Sequence, residues 1–240
     1  MSTAITGTGP VVVAQGIHTS SSTKLHNLGE LVHSNDGRAF RYCLNGGTAM
    51  LAGRLQQRQA EITADQDTTA VAAAIGATQY VSTTTVTVTA NEYANGWAVV
   101  TVTPGVGIQY QIKGHAAFSA AAPTFDLIDP IVVALTTTSR VDLVHNNYSA
   151  VVIYPTTATG GPVGVSVHAI AADEYGWLAV AGVNACLSDG ASTVGLNANA
   201  ADGSITGAVD DVTHATEAPV GIFMTGVADT EYGPVKLNLV

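Results

Sequence analysis

Tyr175-Gly-Trp-Leu-Ala-Val180, Ala218-Pro-Val-Gly-Ile-Phe-Met-Thr-Gly226 and Tyr232-Gly-Pro-Val-Lys-Leu-Asn-Leu-Val240 are three short runs of β-favouring residues. Between them the chain is punctuated by Ser188-Asp-Gly, Ala201-Asp-Gly-Ser and Ile205-Thr-Gly, residues that suit tight turns. In the last run Val235, Leu237 and Leu239 alternate with Lys236 and Asn238, the period of two that sends successive side chains to opposite faces of a sheet. Short strands separated by turn chemistry are the mark of a sandwich or a barrel.

The same pattern extends upstream. Val163, Val165 and Val167 alternate with Gly164, Ser166 and His168, and Ile108, Tyr110 and Ile112 with Gln109, Gln111 and Lys113. Val81 to Thr89 reads as a half-buried strand, and Asn95-Gly96 supplies a hairpin turn that would pair it with Trp97-Ala-Val-Val-Thr-Val-Thr103. Helix signals are confined to Thr48–Gln59 and to Asp67–Ile75, where Asp67 could cap the N-terminus. The fold class expected is all-β, of sandwich or barrel modules, with an extended N-terminal arm over residues 1–60, a central β domain over 61–170 and a small C-terminal barrel over 171–240. Removing residues 1–60 should then leave the β body folded.

With 240 residues, 47% hydrophobic content and a mean hydropathy of +0.29, the chain can bury a proper core. Charged residues make up 11%, well under the roughly 25% of an ordinary soluble domain. They are unevenly placed. Lys24, Arg38, Arg41, Arg54 and Arg58 against Glu30 and Asp36 give the first sixty residues a charge of +3. Lys113, Arg140 and Lys236 against the other sixteen acids give the remainder −13. So acidic a body repels phosphates, which argues against nucleic acid as a partner. The basic first quarter could dock on an acidic protein surface.

No constellation for catalysis stands out. The chain contains no G-x-S-x-G, no G-x-x-x-x-G-K-[ST] and no H-E-x-x-H, and Gly105-Val-Gly107 lies between two strands instead of opening a helix. His18, His26 and His33 match no zinc spacing, while Asp65-x-Asp67 and Asp210-Asp211 lack the glycine and distal glutamate of a calcium loop. Neither a metal nor any other cofactor is expected, and no catalytic residue is assigned. Cys43 and Cys186 are read as buried thiols. Val11-Val-Val-Ala14 is too short for a signal peptide, and no apolar run approaches the ~20 residues of a membrane span, so the protein is expected to be soluble and made in a cytoplasm. Ala90-Asn-Glu-Tyr-Ala-Asn-Gly-Trp and Ala172-Asp-Glu-Tyr-Gly-Trp echo one another, as aromatic residues closing the ends of two barrels would, but two copies do not define a repeat array.

His26-Asn-Leu-Gly-Glu30, Ser34-Asn-Asp-Gly-Arg-Ala-Phe-Arg-Tyr-Cys-Leu-Asn-Gly-Gly47, Leu51-Ala-Gly-Arg-Leu55 and Tyr93-Ala-Asn-Gly-Trp97, together with the Val220-Gly-Ile222 segment before the closing strand, resemble in style and order the capsid decoration (cement) proteins of tailed phages. The resemblance implies a virion protein on the capsid exterior, assembled as a homotrimer, which partners the major capsid protein and reinforces contacts between its subunits. Docking residues implied on this chain are Arg38, Phe40, Arg41, Tyr42, Arg54 and Arg58, since aromatics and Arg anchor interfaces. The rival reading is a trimeric head-fibre or receptor-binding, adhesin-like β module.

Overall fold

The computed structural model describes residues 5–6 (backbone), 15–83, 87–119, 122–211 and 217–240. The chain is all-β, with no α-helix among those residues and a single 3-10 turn at Thr63–Asp65. It divides into two compact units, one of residues 1–59 with 147–240 and one of residues 60–146.

The first unit begins with β1 (Ile5–Thr6), β2 (Leu31–Ser34), β3 (Ala39–Leu44) and β4 (Leu55–Gln57). β2 and β3 form a hairpin in which Leu31 pairs with Arg41 and His33 with Ala39. Over residues 31–57 the chain is therefore three strands built into a sheet, in place of the extended arm expected there. Phe40, Tyr42 and Cys43 have no exposed surface.

The second unit holds β5 (Thr68–Ala70), β6 (Gln79–Thr83), β7 (Thr87–Val88), β8 (Trp97–Val102), β9 (Gln109–His115), β10 (Phe118–Ser119), β11 (Thr124–Leu127) and β12 (Arg140–Val144). Six of them close a barrel in the order β11-β6-β5-β12-β8-β9, while β7 and β10 pair with each other. The period-two reading of β9 holds, with Tyr110 and Ile112 inside and Gln109 and Lys113 outside. Two expectations are corrected. Asn95-Gly96 is a turn, with Asn95 at φ 61°, but β8 pairs with β9 and β12 and not with the 79–88 strands. Barrel closure has already used both edges of β6, on β5 and β11, so no edge is left for β8. Residues 84–86 of the expected strand lie outside the described residues. Asp67–Ile75 is not a helix either: Thr68 and Ala70 are buried in β5, and pairing with β12 and β6 overrides the helix propensity of the alanines.

Returning to the first unit, the chain forms β13 (Val152–Ile153), β14 (Pro162–Ser166), β15 (Tyr175–Leu187), β16 (Asn197–Ala200), β17 (Val209–Asp210), β18 (Pro219–Phe223) and β19 (Tyr232–Asn238). All join one sheet with β1 to β4, whose main path is β1-β2-β3-β15-β19-β18-β16-β17. Thr48–Gln59, the other expected helix, is a loop followed by β4, whose three residues are buried by pairing with β13 and β14. Position 61 falls where the chain passes from one unit to the other, and position 171 lies in the turn joining β14 to β15, inside one sheet.

The first unit is a duplication. Pro162-Val-Gly-Val165, Ile170, and Glu174-Tyr-Gly176 recur as Pro219-Val-Gly-Ile222, Val227, and Glu231-Tyr-Gly233, each 57 positions later (162 to 219, 170 to 227, 176 to 233). The pairings recur as well. Pro162, Gly164 and Val165 oppose Gln57, Gln56 and Leu55, and Pro219, Gly221 and Ile222 oppose Asn199, Ala198 and Asn197. Ile170 bridges Met50 as Val227 bridges Ser192. Asp173 and Thr230 both take the left-handed conformation, at φ 59° and 63°. Tyr175 and Gly176 oppose Leu44 and Cys43, and Tyr232 and Gly233 oppose Leu187 and Cys186. β15 is long because it serves twice, its first half closing one copy and its second half opening the next. In sequence, residues 60–146 interrupt the first copy between β4 and β13, and nothing comparable interrupts the second.

Cys43 and Cys186 occupy equivalent places in the two copies. Both are buried free thiols, and burial pushes each up to about 12.

Candidate functional site

The six residues expected to dock are mostly engaged within the fold. Phe40 and Tyr42 are core side chains and present no surface. Arg41 donates to the Gly29 carbonyl at 2.7 Å and lies over the Tyr148 ring, and Arg54 donates to the Thr206 carbonyl. Arg58 is half-buried, its stem close to Gly160. Arg38 lies over Phe40 and donates from Nε to Asp36 at 2.8 Å. Hydrogen bonds from Ser34 and Arg38 hold the Asp36 carboxyl below its ordinary range. These arginines brace loops of their own unit, which a sequence reading cannot distinguish from free anchors.

The histidines separate. His26 reaches Glu30 at 3.2 Å and packs its ring on Tyr42 and Trp177 at 5.1 and 5.0 Å, His33 is exposed on β2, and His18 lies edge-on to His168 at 6.5 Å. Burial and the nearby His18 lower the His168 pKa. Among the described residues one acidic group gathers, Asp202, Asp210 and Glu217, with carboxylate oxygens within 4.8 Å of one another. Asp211 instead accepts from the Thr193 amide at 2.7 Å, and the Asp67 amide donates to Asp142 at 2.7 Å.

Inside the six-stranded barrel, Tyr93 donates to Asp65, stacks on His145 at 4.1 Å and accepts nothing from solvent, since both Tyr93 and Asp65 are fully buried. The His115 ring accepts the Tyr93 amide at 3.0 Å. Burial, reinforced by the Asp65 carboxylate, raises the pKa of Tyr93 and of Tyr80 far above the ordinary phenol range. A phenol held neutral in a closed core is a packing and hydrogen-bonding element that fastens the Thr63–Asp65 turn to the barrel.

The surface feature with the clearest binding geometry lies on the first unit. An open groove of about 630 Å³ is lined by Leu51, Ala52, Gly53, Val183, Ala185 and Tyr232 among others. Leu51, Val183 and Tyr232 are 51%, 47% and 52% exposed, so half of each side chain is available to a partner. Gly53 sits at φ +71°, and an added Cβ would stand 2.6 Å from the Tyr232 ring, so only glycine lets that ring lie against the backbone as a wall. His18 and Arg38 stand among the lining residues, and no carboxylate does. The volume is in the range of ordinary binding clefts, and its apolar, solvent-facing walls suit a protein contact. The residues that form it were missed in the sequence because Leu51 sits in the run 48–59 that reads as a helix, and no local pattern singles out Val183. The available signal was the 57-residue recurrence, which pairs the exposed Tyr232 with the partly buried Tyr175.

No helix among the described residues is long and apolar enough to cross a membrane. Compared with protein-family models, with curated proteins and with solved structures, the chain finds no match, so the all-β fold rests on its own strands and no family is assigned.

Proposed function

We propose that this chain is a structural virion protein that binds the outside of a tailed-phage capsid as a homotrimer and reinforces contacts between major capsid subunits. The observation that carries the reading is the apolar groove walled by Leu51, Val183 and Tyr232, because half-exposed apolar walls on a charge-poor surface favour a standing protein contact. The resemblance of the sequence to decoration proteins supplies the partner. A lattice of identical subunits suits a modest groove, since many weak equivalent contacts add through effective concentration. The net charge of −10 disfavours contact with packaged DNA.

Pelleting tests it. Purified protein mixed with capsids lacking it should sediment with them and saturate at a fixed ratio to the capsid protein. Val183→Glu, which puts a charge at the groove wall, should reduce bound protein at least tenfold without changing the melting temperature. Wild-type protein that stays in the supernatant at saturating concentration defeats the reading.

A further inference from the structure

Equivalent faces of the two copies are treated differently by the rest of the chain. In the first copy Phe40, Tyr42, Leu55, Val165, Trp177 and Ala179 are all buried, none more than 1% exposed. Their cover is shared between second-copy residues such as Ala198, Val209, Val220 and Leu237 and the irregular chain at Gln15 and Ile17. Gln15 Nε2 donates to the Tyr175 carbonyl at 2.9 Å, its Oε1 accepts from the Tyr42 hydroxyl at 2.7 Å, and its backbone carbonyl accepts from Trp177 Nε1 at 3.1 Å. Ile17 and Leu28 join the same hydrophobic cluster. The corresponding positions of the second copy are Val183, Ala185, Asn197, Ile222, Pro234 and Lys236, and not one of them is buried. Tyr232, the counterpart of Tyr175, is half exposed. Two of the three residues that stand where Gln15 makes its bonds in the first copy, Ala185 and Tyr232, are walls of the groove.

We infer that the groove receives an extended peptide segment of a partner protein, laid across the second copy as Gln15 to Ile17 lies across the first, with aliphatic side chains against Leu51, Val183 and Tyr232 and a carboxylate at Arg38. The mode comes from the first copy, where irregular chain at Gln15 and Ile17 covers part of the face, beside strand residues of the same core. The side-chain chemistry comes from the walls. Where Tyr42 and Trp177 offer hydrogen bonds, the second copy has Ala185 and Pro234, so the partner segment gains by burying apolar surface. The charge comes from the lining, which includes Arg38 and His18 and no acid in a chain with 18 acids and 8 bases. Asp36 takes the Nε hydrogen of Arg38, which leaves the terminal amino groups of the guanidinium for an incoming carboxylate.

This inference rests on the groove being a protein-contact surface and adds the chemistry and conformation of what enters it. It is tested without capsids. A displayed library of random twelve-residue peptides is selected on the immobilised full chain, and enriched peptides are synthesised and measured by fluorescence anisotropy. Enriched sequences should share aliphatic residues two positions apart with a nearby Asp or Glu. Val183→Glu should weaken their binding at least tenfold, and Tyr232→Ser, which removes the wall without adding charge, at least fivefold. Arg38→Gln should weaken it three- to tenfold, with the larger loss at low salt. Val106→Glu, an exposed position of the barrel unit, should change nothing. The inference is overturned by a library that yields no enrichment over a blank surface, or by binders indifferent to both groove variants. It is also overturned if the groove serves a second copy of the chain, seen as a mass that rises with concentration and drops back to 24.4 kDa in Val183→Glu. Peptide binding at the groove by a protein that does not pellet with capsids leaves this inference standing and removes the capsid as partner, so the two failures are distinct.

Discussion

Residues 60–146 expressed alone should fold to a cooperative barrel, and a chain lacking residues 1–59 should keep that barrel while its other unit loses its packing. The fragment carries all six barrel strands and its own core, in which Tyr80, Tyr93, Tyr110, Ile112 and Phe125 are at most 4% exposed. At 87 residues (60 to 146) it is within the size range of independent domains. The truncated chain loses β3, the strand that pairs with the first half of β15 and brings Phe40 and Tyr42 against Trp177. It also loses Gln15, which ties Tyr42, Tyr175 and Trp177 together. Removing two buried aromatics and a strand's worth of ladder hydrogen bonds exceeds the marginal stability of a domain this size, since one buried aromatic alone is worth about 3–5 kcal/mol. Amide hydrogen exchange reads the outcome directly. Protection is expected over β6, β8, β9 and β12 in both shortened chains and lost from β15 and β19 in the one lacking residues 1–59. Native-like protection of β15 without residues 1–59 would restore the picture of a dispensable arm.

The second large effect is at the paired glycines. A Cβ at Gly176 would collide with Ile170 Cδ1, and a Cβ at Gly233 with Val227 Cγ2. Gly176→Ala and Gly233→Ala should each destabilise the protein, by about 1–3 kcal/mol as overpacked cores do, with the larger loss at Gly233 because the branched Val227 cannot swing aside as the end of Ile170 can. Gly233→Ala combined with Val227→Ala should recover part of the loss, a coupling that thermal melts of the single and double variants measure. Equal and additive losses would mean the two glycines are constrained by something other than these contacts.

The strands were legible where one face is wet. β9 and β19 alternate because each has a solvated side, and the sequence shows it in Ile108 to Lys113 and in Val235 to Asn238. Partner choice was not legible. Asn95-Gly96 marks a turn, but which strand follows it in the sheet depends on barrel closure, and closure is a property of all six strands together. The first sixty residues read as an arm because they are basic and Ser- and Gly-rich, yet charge describes association and not burial, and Phe40, Tyr42 and Cys43 were the residues to weigh. The echo between Tyr93 and Tyr175 was a true likeness of turns, with Asn91 at φ 62° matching Asp173 at 59°. The larger repeat was hidden because the inserted residues 60–146 break the spacing in the first copy, and because its second copy ends in Glu231-Tyr-Gly-Pro, without the tryptophan that marked the other two. The groove followed from that repeat, since the comparison of copies shows a face that the described residues cover in one copy and leave exposed in the other.

We propose that the open face of the second copy is what meets the capsid. A cryo-electron microscopy difference map of capsids with and without the protein, at a resolution that separates strands, decides it. The account predicts three copies around a three-fold axis of the lattice, with an extended segment of the capsid protein crossing Leu51, Val183 and Tyr232. Density that joins the capsid elsewhere on the chain, with that groove facing empty solvent, would contradict it.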